Sequence, residues 1–198
     1  LELGNAVFTE FEGSPENFKI MDNKIIDMGA GLERFSWLTQ GTSTAYESVF
    51  GPVVNKMFKS CGIEYDEDLF FKYSKLAGTL NVDEITNLKE TKTKIASQLG
   101  VSLEQLENNF HQLENGFAIL DHTKTLLFAI TDGALPSNVG GGYNLRVLLR
   151  RALSMLLTNE WSVDLNEISD WHISYLSNMY PELKEHRDEI HTVLDVEK

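Results

Sequence analysis

Six apolar residues, Leu103, Leu106, Phe110, Leu113, Phe117 and Leu120, recur at spacings of 3, 4, 3, 4 and 3. That period puts all six on one stripe of a single α-helix, whereas a strand would scatter them over two faces. So long an apolar stripe must be covered by other elements, which commits this part of the chain to a helical bundle. The flanking signals agree. Ser102 stands three residues before Gln105, Asn81 three before Glu84 and Asp164 three before Glu167, each a pairing that marks a helix start. Leu165, Ile168, Trp171, Tyr175 and Met179 continue the helical spacing, and Pro181 marks the first position of a last helix. From about residue 68 onward nearly everything reads as helix.

The first third of the chain breaks that period. Leu1, Leu3, Ala6 and Phe8 give Leu1–Glu12 the alternation of a strand. Gly13, Ser14 and Pro15 form a turn, and Phe18–Asp27 reads as a second strand interrupted by a polar turn at Asp22-Asn23. Leu32, Phe35 and Leu38 return to helical spacing, Tyr46–Phe50 and Val53–Lys59 follow as short helices, and Gly62 stops the latter. The expected class is α+β and predominantly α: N-terminal antiparallel strands over residues 1–51, then a helical bundle over 52–198. The chain opens on Leu1 with a strand already in progress, so it is expected to be a piece of a longer protein.

Thirty acidic against seventeen basic residues give a net charge of −13, which argues against a general nucleic-acid coat. The charge is uneven. Residues 136–158 contain no acid and hold three of the chain's five arginines, Arg146, Arg150 and Arg151, between segments that are net negative. A cationic face on an acidic protein points to one specific anionic partner. The single cysteine, Cys61, excludes an internal disulfide and a cysteine-based zinc site within the chain. No apolar run reaches the roughly 18 residues of a membrane span, and no signal peptide is expected. A soluble protein of the cytoplasm is expected.

Two segments carry chemistry. In Asp27-Met28-Gly29-Ala30-Gly31-Leu32-Glu33-Arg34 a strand ends in G-x-G and opens a helix with an arginine one turn in. Glycines there let backbone approach a flat or phosphorylated ligand, and the arginine can stack or fork onto phosphate. A tight turn with a surface arginine explains the same residues equally well, and the third glycine of a dinucleotide fingerprint is missing. The second segment runs from Asp132 through Pro136-Ser137-Asn138-Val139 and three glycines, Gly140 to Gly142, into a helix carrying Arg146, Arg150 and Arg151. Arg146 and Arg150 share a face, with Leu145, Leu148, Leu149, Leu153 and Leu156 on the core side. Asn138 offers a donor and an acceptor suited to a base edge. A solvated cationic helix start is the plainer account, but loop, glycines and arginines together make RNA contact the more economical one. His111, His122 and His172 read as satisfied structural histidines, His186 and His191 as surface, and Cys61 as a small buried hydrophobe.

These segments occur together in a known family. DMGAGLERFSW resembles motif 3 of the class II aminoacyl-tRNA synthetases, in the form found in the alanyl-tRNA synthetase family. LPSNVGGGYNLRVLLRRAL is similar to that family's tRNA-recognition helix region in its archaeal style. LELGNAVF resembles the strand before motif 3, and TAYESVFG the short segment after it. The resemblance covers residues 1–51 and about 121–155.

It implies a role for each matching residue. Gly29 and Gly31 would floor an adenine pocket, Arg34 would hold ATP, and Asp27 would orient the strand-to-helix turn. Ile26 would line the small amino-acid pocket. Glu47 stands where an acid, often aspartate, pairs with the alanine ammonium, and Gly4 where bacterial members carry a tryptophan. Glu2 would neighbour a metal ion. Asn138 would read the minor groove of the G·U wobble at the third pair of the tRNA(Ala) acceptor stem, with Arg146, Arg150 and Arg151 holding phosphates or structuring the loop. The implied ligands are ATP, Mg2+, L-alanine and tRNA, with no membrane partner. Motifs 1 and 2 would lie before Leu1 and a zinc-bearing editing domain after Lys198, and the complete protein could be a homodimer. The chain alone is expected not to aminoacylate. Such chemistry needs no nucleophilic side chain, because alanine's carboxylate attacks the α-phosphate and the tRNA ribose attacks the resulting anhydride. The alternative is a non-catalytic helical RNA-binding or protein-interaction module, which has no reason to keep Gly29, Gly31 and Arg34.

Overall fold

The computed structural model describes residues 2–78, 80 and 87–197, in two compact units, Leu1–Val49 and Phe50–Lys198. The expected pairing of Asn81 with Glu84 lies outside the described residues. The fold is α+β and predominantly helical, with one antiparallel strand pair at the N-terminal end.

In the first unit, β1 (Gly4–Ser14) and β2 (Asn17–Ala30) form a hairpin. Ser14 pairs with Asn17, so Pro15 and Glu16 alone make the loop. The polar turn expected at Asp22-Asn23 is instead a bulge in an unbroken β2. Thr9 pairs with Ile25 and Phe11 with Ile20, so Glu10 faces the whole stretch Met21–Lys24. Extra residues on one strand are expelled as a bulge, and Lys24 Nζ bridges back to Glu10 Oε1 at 3.0 Å. Val7, Phe8, Ile20, Ile25 and Ile26 are all exposed, so neither face of the ribbon is covered. The helix α1 (Leu32–Gln40) follows and ends at Gly41 in the left-handed conformation, where Trp37 Nε1 donates to the Thr42 carbonyl at 2.7 Å. Next comes α2 (Ala45–Phe50).

The second unit is built around one helix. After α3 (Pro52–Cys61), α4 (Glu67–Ala77) and α5 (Leu88–Leu99), the 29-residue α6 (Leu103–Thr131) runs through the centre. It touches α3 and α5, and beyond it α7 (Gly140–Thr158), α8 (Leu165–Leu176), α9 (Glu182–Glu185) and α10 (Arg187–Val196). The stripe is buried at Leu106, Phe110, Leu113, Phe117 and Leu120, and the helix outruns it with Leu126, Leu127 and Ile130 buried as well. Its start is fixed by a reciprocal cap, Gln105 N donating to Ser102 Oγ at 3.1 Å and Ser102 N to Gln105 Oε1 at 2.9 Å. Gly116 leaves room for Ile63 and Phe58 of the α3 side, since a methyl there would sit 2.9 Å from Ile63 Cδ1. The segment expected as one last helix is two, with Pro181 just before α9.

Two histidines differ from expectation. His172 is fully buried, yet among the described residues neither ring nitrogen has a hydrogen-bond partner of normal geometry, and Thr123 and Ser169 carry buried hydroxyls in the same state. Burial, helped by the Lys124 charge and opposed by the Leu120 carbonyl, pushes its pKa down to about 4. The stripe expected through Leu165, Ile168, Trp171, Tyr175 and Met179 does not include it: α8 buries Leu165, Ile168, His172 and Ile173, while Tyr175 and Met179 are exposed. His191 is not simply surface: its Nε2 lies 3.1 Å from Asp170 Oδ1, beside the two-pronged Arg187–Asp170 pair that ties α10 to α8.

Candidate functional site

At the end of β2 the chain turns through Gly31 into α1. Gly31 N donates to the Leu3 carbonyl, and the Gly31 carbonyl accepts from Arg34 N and Phe35 N, all at 3.1 Å. Arg34 Nη1 donates to the Glu2 carbonyl at 2.7 Å and lies 3.6 Å from the Glu2 carboxylate. A methyl at Gly31 would stand 3.2 Å from Arg34 Cδ, so the glycine lets the arginine stem fold back over the turn. Nothing lies within 4 Å of a methyl at Gly29. Strand alternation sets Asp27 and Gly29 on one face of β2 and Ile26 on the other, all three exposed. The structure therefore brings Gly31 and Arg34 together with Glu2, and separates Ile26 from Asp27 across the ribbon.

Glu47 and Glu2 both have local employment that the sequence pattern did not reveal. Glu47 Oε2 accepts from Thr44 N at 2.8 Å and Thr44 Oγ1 at 3.3 Å, closing the first turn of α2. Glu2 Oε1 accepts from Asn5 Nδ2 at 2.8 Å. Among the described residues no group of three or more His, Cys, Asp or Glu side chains is placed to hold a metal ion.

The second segment is a built loop. Ser137 N donates to the Gly142 carbonyl and Ser137 Oγ to the Val139 carbonyl, both at 2.9 Å. A methyl at Gly142 would fall 2.3 Å from Ser137 Oγ and 2.6 Å from the Leu135 carbonyl, so this position admits only glycine while the loop keeps its shape. Gly140 takes a positive φ of 58°, and Gly141 is open on its Cβ side. Asn138, Val139 and Tyr143 are exposed beside the helix start.

Arg146 is not the free cation that its place in the arginine cluster suggests. One guanidinium nitrogen donates to Asn138 Oδ1 and another to Glu197 Oε1, just past α10. Its side chain is 22% exposed, and Nε is buried without a partner among the described residues. Glu197 is the functional neighbour that sequence reading missed, since a partner 51 residues away leaves no local pattern. Arg150 and Arg151 remain exposed and, among the described residues, form no ion pair.

A family model described as tRNA synthetases class II (A) matches residues 4–198. The chain belongs to that family. Among its curated relatives are the alanine–tRNA ligases of the archaea Cenarchaeum symbiosum, Nitrosopumilus maritimus and Methanocella arvoryzae, at 46%, 44% and 40% identity over all of this chain. The chain spans 22% of the length of the first two relatives and 23% of the third's. No helix among the described residues is long and apolar enough to cross a membrane.

Proposed function

We propose that this chain is the part of an alanine–tRNA ligase that joins its ATP and alanine site to its acceptor-stem reader. The complete enzyme would attach alanine to tRNA(Ala) through alanyl-adenylate in the cytoplasm, whether as monomer or homodimer. The observation that carries the reading is the Leu135–Gly142 loop. It is held by its own serine and glycine, presents Asn138, and is followed on α7 by Arg150 and Arg151, two exposed cations that form no ion pair among the described residues. Such a loop supplies what a base-edge reader needs, one oriented amide and phosphate-binding charge about three helical turns further on.

On the hairpin side, Arg34 is half exposed and anchored through a backbone carbonyl, so its remaining donors are available to phosphate oxygens or an adenine face. In the adenylation step alanine's carboxylate attacks the α-phosphate and pyrophosphate departs, so a fixed cation beside the phosphates lowers the cost of the developing charge. Gly29 would leave the floor open to a flat base and Ile26 would offer apolar surface to a methyl side chain. The free oxygen of Glu47 would face the ammonium. Mg2+ would accompany the ATP phosphates, since among the described residues no three His, Cys, Asp or Glu side chains are grouped to hold an ion by themselves.

The test is binding of the chain to an acceptor-stem RNA hairpin carrying the G·U pair against the same hairpin with G·C, at one fixed salt concentration. Preference for G·U, lost in Asn138→Ala, is the expected result. Equal affinity would confine residues 136–151 to phosphate contacts, and no binding would favour the non-catalytic interaction module.

A further inference from the structure

We propose that α8, α9 and α10 form a strap that opens from the bundle as one piece, released at a polar seam against α6 and at the Arg146–Glu197 pair, and that its opening gives Arg146 up to phosphate. Only that last consequence rests on the RNA-binding reading above. Thr123, Ser169 and His172 are each at most 1% exposed, and among the described residues none of their four side-chain polar atoms has a hydrogen-bond partner. The Leu120 carbonyl and the Lys124 charge both act on the His172 ring, so it stands against the α6 turn that carries Thr123. Ser169 lies one turn before His172 on the same face of α8. Each unpaired buried group costs its full desolvation, so this seam subtracts from the packing that closes it. Against it work Leu165, Ile168, Ile173, Leu183, Ile190 and Leu194, whose burial holds the strap down. The buried residues of α7, by contrast, are Leu149, Ala152 and Leu156, with no polar side chain among them.

The polar pairs explain why the three helices open together. Asp170 of α8 accepts from Arg187 Nε and Nη2 of α10 at 2.7 and 2.6 Å, with His191 Nε2 at 3.1 Å. Asn166 Nδ2 of α8 donates to Asp195 Oδ1 of α10 at 2.9 Å. These pairs tie the strap to itself, and none of them crosses the seam. The Arg146–Glu197 pair does cross, from α7 to the residue just past α10. A piece tied inwardly, and held outwardly over unpaired polar groups, opens as a unit at less than the free energy of global unfolding. When it opens, Glu197 leaves with α10, and Arg146 joins Arg150 and Arg151 as a third cation of α7 open to an anion.

The experiment is amide hydrogen exchange of the 198-residue chain over a series of sub-denaturing urea concentrations, in wild type, Ser169→Ala and Glu197→Gln. In wild type the amides of Ile173 and Ile190 share one urea dependence and exchange at least about tenfold faster than those of Leu120 and Leu149, which wait for global unfolding. Ser169→Ala removes an unpaired hydroxyl, so Ile173 and Ile190 slow together by at least about fivefold. Glu197→Gln weakens the outward tie, so both speed up together, although Ile173 belongs to α8. Different urea dependences at Ile173 and Ile190 would overturn the strap, as would exchange of both at the rate of Leu120. Faster exchange in Ser169→Ala, or an effect of Glu197→Gln confined to α10, would overturn it equally. The consequence for Arg146 is read from binding of a duplex RNA hairpin over a salt series. Glu197→Gln is expected to raise the slope by about one, for one more phosphate contact, and an unchanged slope overturns that consequence. If wild type binds no hairpin, the RNA reading fails and the consequence for Arg146 fails with it, while exchange still decides the strap.

Discussion

Leu120 of α6 has no exposed surface, whereas Ile20 of β2 keeps 67% of its own, and the contrast extends to the two units as wholes. In the helical unit each apolar stripe is covered from several sides, with Leu113, Leu127, Leu149 and Ile168 fully buried around α6. In the hairpin unit two long strands pair only with each other and leave Val7, Phe8, Ile25 and Ile26 bare. A two-stranded ribbon without a covered face is marginal in water, because pairing alone does not offset the ordering of its backbone. Stability of this chain therefore resides in Phe50–Lys198. The hairpin takes its shape from register and a few cross-strand contacts, such as the edge-on Phe11 and Phe18 rings 5.6 Å apart.

The largest expected effect tests that division directly. Leu120→Ala empties a site with no exposed surface and should cost about 2–5 kcal/mol in urea unfolding. Ile20→Ala should cost less than about 0.5 kcal/mol, as surface changes do. Equal losses would break the comparison, because the ribbon would then have a core of its own.

Next in size is a pH effect confined to the helical unit. His172 has a native pKa of about 4 against an ordinary 6.5. As pH falls below 6.5 the unfolded chain takes up a proton that the folded chain refuses, so stability falls, by about 2 kcal/mol at pH 5. For Asp170, burial pushes the carboxyl up, but Arg187 and His191 outweigh it and hold it below its ordinary 3.8. Its own loss comes only as pH falls through that lower range, so the Asp170 carboxyl does not supply the fall expected between pH 7 and 5. His172→Leu should flatten the profile there, and an unchanged slope would show that the ring is solvated in solution.

How much of this was legible in sequence depended on the range of the interaction. The period of Leu103 to Leu120 gave a central helix because side chains three and four apart must share a face. The caps at Ser102 and Asp164 were legible for the same local reason. Asp22-Asn23 was correctly marked as an irregularity but of the wrong kind, since a turn and a bulge place similar polar residues in the strand and differ only in what stands opposite. Partners across long separations left no trace: Glu197 for Arg146, and Asp170 for Arg187 and His191. The candidate site was thus legible as residue types in order, through Gly31, Arg34, Asn138 and the arginine cluster, while the commitments of those side chains were not.

Glycines sharpen the contrast at a smaller scale. Gly142 is walled by its own loop, with the Leu135 carbonyl 2.6 Å from where a methyl would go, and Gly29 of β2 has nothing within 4 Å. Gly142→Ala should cost about 1 kcal/mol, the low end of overpacking because an exposed loop can give. Its local signature is loss of amide protection at Ser137, whose N–H donates to Gly142. Gly29→Ala should leave stability within about 0.5 kcal/mol of wild type by the same urea assay. A large loss there would mean that the strand face is covered in solution.

The smallest effect separates the two arginines that glycine-flanked helix starts present. Arg34 and Glu2 have side chains 49% and 62% exposed at 3.6 Å, a pair that solvent and salt screen almost fully. Glu2→Gln should therefore change unfolding free energy by less than about 0.5 kcal/mol, and by nothing measurable in 0.5 M salt, since only the carboxylate is altered and the backbone bond to Arg34 persists. Arg146 and Glu197 have side chains 22% and 12% exposed, so the same Glu→Gln change leaves a largely desolvated guanidinium short of its counter-charge. That loss should exceed the Glu2 one and survive in high salt, because screening ions do not reach a pair from which water is mostly excluded. Equal, salt-erased losses at both positions would show that Arg146 is as free as Arg34. A salt-resistant difference would establish that one arginine is held in readiness for a ligand while the other is already part of the fold.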